Sequence, residues 1–168
     1  INFLESSKKE RKISNIGFSF HGIKEEFTQI IDAYDWTFCQ IQYNFLDTQN
    51  QAGTAGLKYA AAKGIAIVIM EPLRGGNLSK PEAPPAIQSL WDTASTKRLP
   101  VEWALRWVWN HPEVTVVLSG MNVDEHIAQN LTIASQAEAN SLTDTELALI
   151  NQVADTYRVL MPVGCTGG

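Results

Sequence analysis

The chain has 168 residues, 45% hydrophobic and 18% charged, with thirteen Lys+Arg against eighteen Asp+Glu and a formal charge of −5. A domain of this length buries about 70% of its unfolded surface, enough for a sizeable core. The acidic balance excludes a chain-wide nucleic-acid footprint. The longest apolar run, Ile65 to Met70, falls far short of the ~20 residues a membrane helix needs, and two cysteines, Cys39 and Cys165, are too few for a disulfide framework.

In chain order, the sequence opens inside a helical pattern and reaches a basic cluster, Lys8, Lys9, Arg11 and Lys12, interrupted by Glu10. A solvated helix end accounts for it. Ile13 to Ser19 reads as a strand leading to Gly22, and Lys24 to Ala33 as a helix with Phe27, Ile30 and Ile31 on one face. Phe38 to Tyr43 is the second strand. Ala55 to Lys63 is a helix stopped by Gly64. Ile65 to Met70 and Val114 to Leu118 are nearly continuous β-branched runs, the pattern of strands covered on both faces. Between them, Ser79 to Pro85, with three prolines, reads as a loop into a short helix, Ala86 to Ala94. Pro100 sits in a first helical turn, with Val101, Ala104, Leu105 and Val108 on one face. Asn122 with Glu125, and Thr143 with Glu146, read as N-cap pairs. Strands alternating with helices predict a parallel sheet with right-handed crossovers. Four such units make an odd open sheet but a natural half of an eight-unit barrel.

Four motifs end these strands in order: Ile16-Gly17-Phe18-Ser19-Phe20-His21, Gln40-Ile41-Gln42-Tyr43-Asn44, Met70-Glu71-Pro72-Leu73-Arg74-Gly75-Gly76, and Leu118-Ser119-Gly120-Met121. Together they resemble strand ends five to eight of the aldo-keto reductases, and the resemblance covers residues 1–157. It implies an α/β fold, the C-terminal half of a (β/α)8 TIM barrel with four parallel strands and flanking helices. It also implies a cytoplasmic oxidoreductase using NADP or NAD. In such barrels the site forms where the strands end.

By the same resemblance, Ser19 and Gln40 hold the nicotinamide carboxamide, a group that donates and accepts hydrogen bonds. Met70 packs on the ring in place of an aromatic residue. Pro72, Leu73, Arg74 and Gly75 approach the pyrophosphate, where glycine admits close backbone contact and Arg74 adds charge, with Glu71 a candidate partner for Arg74 or for a residue of the missing half. Gly120, Met121 and Asn122, leading into a helix, face the adenosine phosphate, and Gln129 and Asn130 the adenine. NADP-binding members usually supply Arg or Lys near here; Met121, Asn122, Asp124 and Glu125 stand in this chain, which implies weakened NADP selectivity. Phe20 departs from the asparagine common in the family, and the Ser-Phe-His version resembles the iron–sulfur-tailed subgroup.

No proton donor is assignable. The family's Asp–Tyr–Lys set and His belong to earlier strands, and Tyr43 has no Lys or Asp at that spacing to activate it. Residues 158–168 resemble the lead-in to a ferredoxin-like cysteine cluster, with Cys165 its one thiolate here; a [4Fe–4S] cluster needs several. The reading is therefore a chain cut at both ends, inactive alone, which pairs with the missing N-terminal half or with a second copy. Three readings remain open: a fragment of an NAD(P)-dependent oxidoreductase, a non-catalytic half-barrel that binds nucleotide or assembles with a partner, and an unrelated parallel α/β phosphate-binding protein.

Overall fold

Alternating apolar and small or polar residues give each strand a face that helices must cover. The computed structural model describes residues 1–161. Its strands are β1 (Gly17–Phe20), β2 (Phe38–Gln42), β3 (Ala66–Met70) and β4 (Val116–Val117). They form one sheet in the order β1-β2-β3-β4, with every pair parallel. The helices are α1 (Asn2–Lys9), α2 (Lys24–Asp32), α3 (Gly53–Ala62), α4 (Pro85–Trp91), α5 (Pro100–Trp109), α6 (Asp124–Gln136) and α7 (Asp144–Leu160). The three crossovers carry one, one and two helices, as the spacing predicts. Lys8 and Lys9 end α1 in solvent.

The outward side chains of the central strands, Cys39, Ile41, Ile67 and Ile69, are fully buried. They meet Phe27 of α2, Leu57 of α3, Trp103 of α5 and Ile150 of α7 in one apolar cluster. Burying each large aliphatic side chain stabilises by about 2 kcal/mol. The opposite faces carry Gly17 and Ser19 on β1, Phe38, Gln40 and Gln42 on β2, Ala66, Val68 and Met70 on β3, and Val116 on β4. Of these only Gln42 is buried. Register sets Ser19, Gln40, Val68 and Val116 in one row across all four strands.

Several boundaries move from their predicted places. Pairing starts at Gly17 rather than Ile13, because Thr37 N–H donates to the Ile16 carbonyl (2.9 Å) just before the ladder. Only Val116 and Val117 of the fourth strand count as strand, although Thr115 and Leu118 N–H also donate to β3 carbonyls. The Thr143–Glu146 capping box forms: Glu146 N–H donates to Thr143 Oγ1 at 3.2 Å and Thr143 N–H to Glu146 Oε2 at 2.9 Å. The Asn122 cap does not. Val123, extended at φ −136 and ψ 151, is the N-cap, so Asn122 lies one residue too early and no side chain caps α6.

Candidate active site

Because the strands are parallel, their C-terminal ends and the following loops share one rim. On the inner face below it, Gln40 Nε2 lies 3.4 Å from Ser19 Oγ and 3.3 Å from Met70 Sδ. Sheet register explains this: Ser19 opposes Gln40, and Gln42 opposes Met70. The three positions that the resemblance assigns to the nicotinamide thus form one group.

Met70 leads directly into a turn of unusual backbone. Glu71 (φ 53) and Arg74 (φ 50) are left-handed non-glycine residues, followed by Gly75 (φ 61) and Gly76 (φ 85). Such conformations cost of order 1–3 kcal/mol each and persist where surroundings enforce them. Here the enforcement comes from the β2–α3 loop. Asn44, fully buried, donates to the Glu71 carbonyl (3.2 Å) and to Asp47 Oδ2 (3.1 Å), and its own Oδ1 accepts from Leu46 and Asp47 N–H. Asp47 Oδ2 also accepts from Arg74 Nε at 3.1 Å and Gln42 Nε2 at 3.3 Å.

That corrects the pairing of Arg74 with Glu71. Arg74 pairs with Asp47, not Glu71, and both partners are nearly buried, at 12% and 11% side-chain exposure. Its guanidinium braces the turn, and Arg74 is absent from the cavity wall described next. A carboxylate 27 residues earlier, brought over by strand pairing, outcompetes the near neighbour.

The turn forms one wall of a cavity of about 770 Å³. Pro72, Leu73, Gly75 and Gly76 line it on one side, and Ser119, Gly120, Met121, Asn122, Gln129 and Asn130 on the other. Of the residues expected at the pyrophosphate and adenosine, all but Arg74 are gathered here. A Cβ built at Gly75 or Gly120 meets no atom within 4 Å, so this chain's own packing does not require their smallness. Asn130 Nδ2 donates to Ser119 Oγ (3.0 Å) while its buried Oδ1 has no partner.

Sequence reasoning missed Leu99, Pro100 and Val101, which close the cavity from the start of α5. It also missed Ser119, Asn44 and Asp47. The Asn-x-x-Asp pairing was readable locally, since a short Asn side chain commonly caps the N–H two and three residues on. The reach of α5 to the rim has no local signal.

Tyr43 stands outside the site. It follows β2 on the helix side, 1% exposed, with its hydroxyl 2.8 Å from Thr54 Oγ1 and 3.3 Å from His111 Nε2. Burial raises its pKa. Cys39 is buried in the apolar layer, and burial pushes its thiol up to about 12. Among the described residues no His, Cys, Asp or Glu groups converge as metal ligands, so these residues do not fit an iron–sulfur cluster. Cys165 lies outside the described residues. Among the described residues no helix is long and apolar enough to cross a membrane.

Residues 1–155 match the aldo/keto reductase family. The chain belongs to that family. No curated protein matches. Among solved structures, the chain is similar to the aldo-keto reductase AKR11C1 from Bacillus halodurans. Its holo form aligns with TM-score 0.73 and 20% identity over 91% of this chain and 54% of that one. The apo form gives 0.72 and 20%, over 91% and 55%. The chain thus spans about half the length of these aldo-keto reductases and shares their fold over that half.

Proposed function

We propose that this chain is the nucleotide-binding half of an NAD(P)-dependent aldo-keto reductase. The observation that carries this is the cavity between the Glu71–Gly76 turn and the start of α6, with the turn following directly in sequence on Met70 of the Ser19–Gln40–Met70 group. The residues fit a dinucleotide. Gly75 and Gly120 leave room for close approach, Asn130 Oδ1 is an acceptor without a partner, and the walls are largely apolar. When bound, the dihydronicotinamide supplies hydride to a carbonyl. Ser19 and Gln40 would fix its carboxamide and so the ring face presented, with Met70 against the ring. Gly75 and Gly76 would meet the pyrophosphate, and Gln129 and Asn130 the adenine. Tyr43 is turned into the helix layer and away from this rim. On this reading the proton for the alkoxide comes from residues outside this half.

A complementary half-barrel is the proposed source. Among the described residues, β1 and β4 each pair on one side only, and α6 beside β4 exposes Val123, Ile127 and Leu131 along one stripe. Parallel sheets are normally covered on both faces, so four further strands, from an N-terminal half or a second copy, would satisfy these edges. The Ser19-Phe20-His21 motif and the Met161 to Cys165 sequence support the iron–sulfur-tailed subgroup, and the family resemblance supports a cytoplasmic enzyme.

Titration of NADH against intrinsic fluorescence tests the reading. Saturable quenching is expected, weakened at least tenfold by Gly120→Val while the unfolding free energy in urea holds to within about 0.5 kcal/mol. Absence of saturable binding by the unaltered chain refutes it.

A further inference from the structure

The cavity has an unbalanced charge inventory for an adenine dinucleotide. Among the described residues, no Lys or Arg lines it; its ionisable lining is Glu71 and His126. Each nearby guanidinium is committed elsewhere. Arg74 is tied to Asp47 at 3.1 Å. Arg98, just before Leu99 of the wall, pairs with Glu146 and lies over the Trp103 ring. Lys97 donates from Nζ to the Asp92 carbonyl at 2.6 Å. Lys80, between the lining residues Ser79 and Pro81, is exposed and not part of the wall. At the α6 end, no side chain caps the helix, but Asp124 and Glu125 occupy its first turn and already complement its dipole.

Resting on the nucleotide reading above, we infer that the cavity selects the dinucleotide with a free ribose 2′-hydroxyl, NADH, over its 2′-phosphorylated form, NADPH. A phosphate monoester adds about −1.5 to −2 charges at neutral pH. Its recognition rests on charge-assisted bonds from Arg or Lys, which this wall does not present. The pyrophosphate is common to both dinucleotides and can be met by backbone N–H groups of the glycine turn, so it does not discriminate. The added phosphate would lose water with no Lys or Arg on the wall to pair it, His126 being the one lining side chain able to carry positive charge and Glu71 adding a negative one. The free hydroxyl loses far less, and polar partners such as Asn122 or Gln129 suffice for it.

The test is equilibrium binding of NADH and NADPH to the full chain at one ionic strength. NADH is expected to bind at least tenfold more tightly, and Met121→Arg, which places a cation on the wall, to raise the NADPH-to-NADH affinity ratio at least tenfold. Equal binding, or tighter NADPH, overturns the selectivity while leaving the nucleotide reading intact. If NADPH binding matches NADH and falls selectively in Lys80→Ala, that lysine supplies the cation and the inference is wrong. Failure of both nucleotides to bind at millimolar concentration removes both readings.

Discussion

The two faces of the sheet are built on opposite principles. On the helix side Cys39, Ile41, Ile67 and Ile69 reach 0% exposure, and each sits in a continuous apolar cluster with α2, α3, α5 and α7. On the other side the sheet presents Ser19, Gln40, Ala66, Val68 and Met70, none of them buried, with only Gln42 of that face buried. Stability therefore resides in the helix layer, and the inner face and rim are where we propose the ligand chemistry. Between the two, the Asn44–Asp47–Arg74 group anchors a rim turn to a loop of the core.

Adjacent residues of β3 offer the sharpest way to break this division. Ile69→Ala, in the helix layer, is expected to cost about 3 kcal/mol in urea denaturation. Val68→Ala, one residue earlier on the inner face, should cost about 1 kcal/mol or less. Equal losses would mean that both faces carry the core.

The anchoring group should be intermediate and should touch both properties. Asp47→Ala leaves the nearly buried Arg74 guanidinium without its partner and removes the acceptor of Asn44 and Gln42. A stability loss of about 2 kcal/mol is expected, together with nucleotide affinity weakened several-fold through the freed Glu71–Gly76 turn. Asp47→Asn, which keeps an acceptor oxygen, should lie between. Unchanged affinity in Asp47→Ala would separate the turn from the site.

The smallest effect is a pH dependence from the helix layer. Burial holds the His111 pKa below its usual 6.5, with Nδ1 2.9 Å from the Trp107 carbonyl and Nε2 facing Tyr43. Below pH 6.5 the unfolded chain takes up this proton before the folded one does. The His111 contribution is therefore fully present above 6.5, declines as pH falls through that value, and stops changing below the folded pKa. Urea midpoints at pH 7.5 and 5.5 should differ less in His111→Gln than in the unaltered chain; an identical difference would show that His111 is not the group responsible.

Much of this was legible in residue order because period-2 and period-3.6 patterns are local. The strand ends, the one-one-two helix count and the Thr143–Glu146 cap all follow from neighbours in sequence. Ser19 and Gln40 are set together by the family resemblance, and the parallel register places them opposite each other. What stayed hidden depends on pairing at a distance. Arg74 reads as a partner for Glu71 until register brings Asp47 against it. The cavity wall at Leu99 to Val101 depends on how α5 packs, which no local pattern encodes. The α6 cap was misplaced by one residue because Val123, with no capping side chain, adopts the extended backbone that sequence reasoning gave to Asn122.

Amide-resolved NMR of the chain during an NADH titration tests the central claim most directly. Saturating shift changes should concentrate at Leu73, Gly75, Gly76, Gly120 and the Asn130 side-chain amide, with the amides of Cys39, Ile41 and Ile67 nearly unmoved. Shifts spread over the helix layer, or none at the glycine turn and the start of α6, would contradict a nucleotide site at this rim.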